Sequence, residues 1–448
     1  FFLKGGKNKN GLRDAILYGI AIVVLYTGLG TLVTALFGAN ALNALASNPW
    51  FNLGLAVLLV VFALSFFGYF ELQLPNKWVD KTDSVADKGG MIGILAMAAT
   101  LAIVSFSCTG PLIGVLLVDT VSNVDGSATG IPIEPVVGMF GFSLALALPF
   151  ALFAAFPSWL NSLPKSGGWM DDIKVSVGFL EIALSLKFLA VFSLIMEHTL
   201  GFKLLPYEAF VGIWVAVGLM WAFYWFNWLR FPHTAKLDKL PASRVVFGVL
   251  CLGLAGYCML GFQTTPANTF KPTWVMSGLA PPAGHSYIKP VDCPQGIDCY
   301  KDYFLAKDAA KESGKPLFID FTGYSCENCR KNEEDIWPDE NILKMLKEDY
   351  VVVSLYVDDR KKLETPYISV LSKKRRTKGS QWADFQIVHM GSNSQPLYAT
   401  ANVDSDIAVI LNEPLGGLIT DADDLQTFLE CGLARHNQIK QGSLLGLK

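Results

Sequence analysis

Two cysteines three positions apart, in Cys326-Glu327-Asn328-Cys329, are the residues best suited to chemistry in this chain. The apolar Phe318, Ile319 and Phe321 before them read as a buried strand; a turn at Gly323 and then a charged helical stretch follow. Thiols at i and i+3 of a helix start share a face and can close a small disulfide. The first sits where backbone N–H groups point outward and the helix dipole favours a thiolate. This suits thiol–disulfide exchange, with Cys326 as the exposed nucleophile and Cys329 as the thiol that resolves the mixed disulfide. Glu327 adds negative charge beside the thiols, and Arg330 and Lys331 oppose it. The competing use of such a pair is half of a zinc site, which needs a second pair or histidines at matching spacing. Cys293 and Cys299 offer sulfurs, but five residues separate them and they precede the strand, so no metal is expected.

These cysteines belong to the second of two regions. Of 448 residues, 52% are hydrophobic and only 17% charged, below the roughly 25% charged of an ordinary soluble chain. The deficit is uneven: residues 15–70 hold no Asp, Glu, Lys or Arg, whereas 301–375 is densely charged. The net charge of −3 gives no reason to expect a nucleic-acid partner. A membrane helix needs about 20 mainly apolar residues. Seven stretches qualify: 14–38, 50–72, 91–118, 136–156, 175–197, 207–229 and 244–262. Uncharged runs of this length leave no polar face for water, so buried helices of a soluble core fit poorly. Alternate loops carry thirteen Lys/Arg against one. That asymmetry predicts residue 1 on the cytoplasmic side and the C-terminal region outside, where disulfides persist.

Domains are expected at 1–262 (membrane), 263–287 (a linker rich in Pro, Thr, Gly and Ala) and 288–448 (soluble). In the soluble region the pattern predicts helix 301–313, strand 316–322, helix 326–336, helix 339–347 and strand 350–357. A long polar region, helix 381–389, strands 397–402 and 407–411 and helix 421–435 follow. The basic run Lys373–Lys378 reads as a solvated loop, and Cys431 as a buried free thiol. Within the membrane, Cys108 precedes Gly110-Pro111, which should break or kink its helix. Unwound backbone at that depth is tolerated only against protein or a water-filled cavity. Cys251 and Cys258 read as packing residues. Glu181 and Lys187 are ionisable groups within one span, six apart and so on different faces. Lys187, near mid-span, should face a cavity or a partner, whereas Glu181, near the cytoplasmic end, has either a partner of its own or direct access to water.

The whole chain resembles the DsbD/CcdA family of transmembrane electron carriers, in the form with a C-terminal thioredoxin-like domain. The resemblance rests on SFSCTGPLIG around Cys108, GFLEIALSLKFLA at 178–190, DCPQGIDCYKDY at 292–303, DFTGYSCENCRKNEE at 320–334 and QWADFQIVHMGSNSQPLY at 381–398. It implies a polytopic all-α membrane domain, seven spans here of an expected eight, followed by an α/β thioredoxin-like domain. It also implies an earlier span bearing a Pro-Cys-x-x-Pro-like motif, whose cysteine would pair with Cys108, and an exported N-terminal domain, so the chain is expected to be part of a longer protein. A cis Pro396 facing Cys326/Cys329 is a further implication, as is a structural disulfide between Cys293 and Cys299. Tyr324 departs from the expected Trp but keeps an aromatic surface. The implied activity is protein-disulfide reduction at the bacterial inner membrane. Electrons would pass from cytoplasmic thioredoxin through the membrane pair to Cys326/Cys329 and on to periplasmic thiol-disulfide proteins, in the service of cytochrome c maturation among other ends. No cofactor is expected, and NADPH would act only upstream of thioredoxin. Two other readings stay open: a thiol oxidase running inward, and a transporter carrying a thioredoxin-like binding module.

Overall fold

The computed structural model describes residues 16–25, 27–28, 48–70, 140–141, 143–145, 147–148, 168–232, 234, 240–265, 268–370, 374–404 and 408–441. The third predicted span, with Cys108, lies outside the described residues. Among those described, four helices are long and apolar enough to cross a membrane. After a short apolar helix α1 (Ile16–Leu25), these are α2 (Pro49–Phe66), α3 (Gly168–Leu200), α4 (Tyr207–Trp225) and α5 (Ala242–Met259). They match the predicted spans at 50–72, 175–197, 207–229 and 244–262. On α5, Val245, Val246, Phe247, Val249 and Leu250 are exposed, as a lipid-facing surface requires. A Cβ on Gly218 would stand 3.1 Å from Ala255 Cβ, so small residues let α4 and α5 approach closely.

The chain falls into two compact units: 1–46, 59–181 and 230–236 form one, and 47–58, 182–229 and 237–448 the other. In the first, Phe67 stacks on Phe231 at 4.4 Å and tilts against Phe179 at 5.0 Å. The second contains the C-terminal region together with α4, α5 and the part of α3 beyond Glu181.

In that unit the segment after α5 is tied down. Phe270, Met276 and Ala280 bury themselves among Leu186, Ala190, Tyr207 and Phe210. Tyr207 donates its N–H to the His285 carbonyl (2.8 Å) and its hydroxyl to the Gly261 carbonyl (3.0 Å). Lys203 Nζ donates to the Ser286 carbonyl (3.0 Å), and Glu208 accepts the Tyr287 N–H (2.9 Å).

The soluble region is a sheet in the order β1-β3-β2-β6-β7, with β8 also on β6. The strands are β1 (Cys299–Tyr300), β2 (Leu317–Thr322), β3 (Val351–Tyr356), β6 (Leu397–Asn402), β7 (Val409–Ile410) and β8 (Leu415–Gly416). β1 and β2 flank β3 in parallel, and β6 runs antiparallel to β2. Strand side chains alternate between faces. Leu317, Ile319 and Phe321 therefore pack with Ala306 and Ala310 of α6 (Tyr303–Ser313) and Trp382 of α9 (Lys378–Met390). Phe318 packs on the opposite face with Trp337, with Leu346 of α8 (Glu340–Glu348) and with Leu425 and Leu429 of α10 (Ala422–Lys440). Asp302 caps α6 and Asp339 caps α8, each satisfying N–H groups with no partner inside the helix.

Two expectations are corrected. The basic run is no solvated loop: Lys374–Thr377 is strand β5, paired antiparallel with β4 (Lys362–Ile368). Its side chains alternate, and Arg375 turns in to Asp384 at 2.8 Å. Tyr367 and Ser369 also donate to Asp384, so the hairpin is organised by one carboxylate. Cys431 is free but exposed. The inward face of α10 is Leu425, Phe428, Leu429, Gly432 and His436, and helical phase turns 431 away from it.

Cys293 and Cys299 form a disulfide, with Cα atoms 5.9 Å apart. Within the small loop it closes, Gln295 Nε2 donates to the Glu333 carbonyl at 2.9 Å. The loop thus braces the helical stretch that carries the redox pair. Replacing both cysteines by Ala is expected to lower stability by about 2 kcal/mol, the chain-entropy value for so short a loop. Chemical denaturation of the whole chain in detergent measures it.

Candidate active site

Strand β2 delivers the chain to the redox pair. Beyond Thr322, the turn Gly323–Ser325 is held by Asp358 at the end of β3. Its carboxylate accepts the N–H groups of Tyr324 (2.8 Å) and Ser325 (3.0 Å) and the Ser325 hydroxyl (3.0 Å). A Cβ on Gly323 would lie 3.1 Å from Asp358 Oδ2, so glycine there leaves room for the carboxylate. The Tyr324 ring stacks on Tyr356 at 4.3 Å.

Cys326 is the N-cap of α7 (Glu327–Lys331) and is joined to Cys329 by a disulfide with Cα atoms 5.3 Å apart. The Cys329 N–H donates to Cys326 Sγ at 3.1 Å. Cys329 is only 1% exposed, whereas Cys326 is half-buried rather than freely exposed. Helix α7 widens into a π-helical turn, Asn332–Ile336. Buried Asn332 locks that turn to the sheet. It donates to the Tyr398 hydroxyl (3.2 Å) and the Gly417 carbonyl (3.1 Å) and accepts the Ile419 N–H (3.0 Å).

The Gln395–Pro396 peptide bond is cis. The β2–β6 register pairs Phe321 with Leu397. Pro396, one step beyond, therefore lies at the sheet end where β2 runs into the cysteine turn.

Three acids surround one buried cation beneath the pair. Arg330 is 4% exposed; it meets Glu333 Oε2 at 2.6 Å and donates to Thr322 Oγ1 at 2.9 Å. Asp320 is 1% exposed and accepts the Ser354 hydroxyl at 2.9 Å. Burial raises the pKa of both Asp320 and Glu333, and Arg330 pulls each back. Burial also holds the Glu334 carboxyl up to about 7, against the pull of Arg330 and Lys187. Unfolded, Glu334 would titrate near its ordinary 4.5, so between these values the folded chain keeps a proton that the unfolded chain releases. The stability penalty is absent below the lower value and complete above the higher one. Raising the pH from 5 to 7.5 is therefore expected to cost about 2–3 kcal/mol through this group. Denaturation curves at the two pH values check it, with Glu334→Gln losing that part of the slope.

Lys187, on α3, is brought to the redox loop: its Nζ is 2.6 Å from Glu327 Oε1, and it also donates to the Gly278 carbonyl. Glu181 takes no part in that contact, and its Oε2 is buried without a hydrogen-bond partner among the described residues. Cys251 and Cys258 are free and buried. Among the described residues, no three His, Cys, Asp or Glu side chains gather in a way that would hold a metal ion. Sequence reasoning missed Asp358 and Asn332. Nothing local marks either, since each acts on a segment distant in the chain.

The family described as "Cytochrome C biogenesis protein transmembrane domain" matches residues 5–192, and a thioredoxin-like family matches 298–374. A thiol:disulfide interchange protein, DsbD 2 of Pseudomonas aeruginosa, is 30% identical over 351 residues, covering 77% of this chain and 54% of that protein. The DsbD of Pseudoalteromonas atlantica is 27% identical over 348 residues, covering 76% and 52%. A solution structure of a thioredoxin from Thermus thermophilus aligns with 34% of this chain and 98% of its own, at 15% identity and a TM-score of 0.25. The chain spans about half the length of the curated relatives it matches. A membrane-domain family and a thioredoxin-like family are thus matched in order along one multi-pass chain, which is similar over both parts to thiol:disulfide interchange proteins of the DsbD type.

Proposed function

We propose that this chain carries the membrane and terminal redox parts of a protein-disulfide reductase. The observation that carries the reading is the Cys326–Cys329 disulfide at a helix start, on a thioredoxin-like domain continuous with membrane helices. In the reduced form, the Cys326 thiolate attacks a sulfur of an acceptor disulfide. One acceptor thiolate leaves and a mixed disulfide forms. Cys329 then gives up its proton and attacks Cys326 Sγ, releasing the second acceptor thiol and closing the Cys326–Cys329 disulfide. Two electrons pass to the acceptor.

The pair is recharged, in this reading, from cytoplasmic thioredoxin through Cys108 and a cysteine on an earlier span. The C-terminal domain lies in the periplasm, and the acceptors are periplasmic thiol-disulfide proteins, including those that serve cytochrome c maturation. The membrane domain has eight spans in the complete protein, seven of them in this chain. The cysteines supply all the redox chemistry, without metal, flavin or nucleotide. The test is the resting state of Cys326/Cys329, trapped by acid quenching and alkylation in growing cells. A reductase fed from the cytoplasm holds the pair mainly reduced, and it becomes oxidised when cytoplasmic thioredoxin is removed. A pair that is oxidised at rest and indifferent to thioredoxin would favour the inward-running oxidase.

A further inference from the structure

Between Glu181 and Glu197, Lys187 is the one charged residue of α3. An ammonium group on a membrane helix is costly without a partner. Its partner lies between the two redox cysteines. Lys187 is 14% exposed, and Glu327, which it meets at 2.6 Å, is 36% exposed. The same ammonium also donates to the carbonyl of Gly278, in the segment that follows α5. Gly278 has φ +75°, and a Cβ there would lie 3.5 Å from the Glu327 carbonyl oxygen. One cation thus joins three segments: a membrane helix, the packed connecting segment and the redox loop. Beside this contact, Ala190, Val191 and Leu194 of α3 line a narrow crevice together with Pro281, Tyr324 and Cys326. Cys326 is therefore partly covered where it meets the helix, although exchange needs a second sulfur to reach it in line.

We propose that Lys187 is a positioning residue for disulfide exchange. Through Glu327 it holds the redox loop, and with it Cys326, against α3, and breaking the pair frees Cys326 for partners. The proposal rests on the interchange reading for its purpose, but its test needs no physiological partner. The whole chain in detergent is treated with dithiothreitol at fixed pH, quenched at intervals, and reduction of Cys326–Cys329 is read by peptide mass spectrometry. The Cys293–Cys299 disulfide serves as the internal reference.

Lys187→Met and Glu327→Gln are each expected to speed reduction of Cys326–Cys329 about fivefold, the scale of a partly buried ion pair. Reference reduction should not change, and the exchanged pair Lys187→Glu/Glu327→Lys should return the slow rate. A purely electrostatic influence on the attacking thiolate predicts otherwise: losing the lysine slows attack and losing the glutamate speeds it. Slower or unchanged reduction in Lys187→Met overturns the proposal, as does failure of the exchanged pair to restore the slow rate. Glu327→Gln alone fits both accounts, so if Lys187→Met impairs folding, Lys187→Gln, which keeps a polar side chain but no charge, takes its place with the same expected rise and the same overturning result. A chain that showed the expected rates but passed no electrons to any acceptor would count against the interchange reading and leave the clamp standing.

Discussion

Replacing Cys326 by Ser is expected to abolish disulfide interchange, with at least about a thousandfold loss, because a hydroxyl is neither ionised nor nucleophilic enough to attack sulfur. The expectation is specific to Cys326. Cys329 is buried behind it, so an incoming disulfide can meet only the first sulfur. Cys329→Ser should behave differently: attack still occurs, but nothing resolves the product. That variant should accumulate mixed disulfides, seen as higher-mass species that disappear on reduction. The geometry supporting this division is set by distant parts of the chain. Asp358 pins the turn before Cys326, and Asn332 pins the turn after Cys329. A Cys326→Ser variant that kept its activity, or a Cys329→Ser variant that trapped nothing, would remove the assignment.

Arg330→Leu is expected to destabilise the thioredoxin-like domain by about 3–5 kcal/mol, the cost of removing one partner of a buried charge pair. Arg330 is the cation facing Glu333 at 2.6 Å and also offsets Asp320 and Glu334. Without it, three buried carboxyls must either stay protonated or ionise against one another. Their pKa values should climb further, and the loss of stability should deepen as the pH rises. The double variant Arg330→Leu/Glu333→Leu should recover much of the loss, since an apolar pair of similar volume replaces a buried ion pair at little cost. Denaturant midpoints at pH 5 and pH 8 measure both. A loss below about 1 kcal/mol would mean that the acids do not depend on Arg330.

The elements that position the redox pair could be read from sequence where pattern is local. Strand β2 is uniformly buried and apolar enough to stand out, and α6 and α8 announce themselves by capping aspartates and spaced apolar residues. The Cys-x-x-Cys spacing is itself the chemistry. Hairpin β4–β5 escaped because Lys362–Ile368 is mostly exposed and contains Pro366, so no apolar alternation marks it; Asp384, beyond β5, organises it instead. Segment 263–287 has the Pro- and Gly-rich composition of a connector, yet Phe270, Met276 and Ala280 are anchored by helices that only the tertiary fold brings near. Cys431 is exposed because its phase on α10 turns it off the inward face formed by Leu425, Phe428, Leu429, Gly432 and His436. The Lys187–Glu327 contact spans 140 positions, and nothing in either local sequence names its partner.

In the proposed relay, electrons reach Cys326/Cys329 through Cys108. The test starts from membranes holding the chain together with the upstream span that the proposed relay requires. Reduced thioredoxin is supplied on the cytoplasmic side, and the redox state of Cys326/Cys329 is followed by timed alkylation. The pair should become reduced, and Cys108→Ala should leave it oxidised while dithiothreitol still reduces it directly. Thioredoxin-dependent reduction that persists in Cys108→Ala would show that the relay does not run through Cys108.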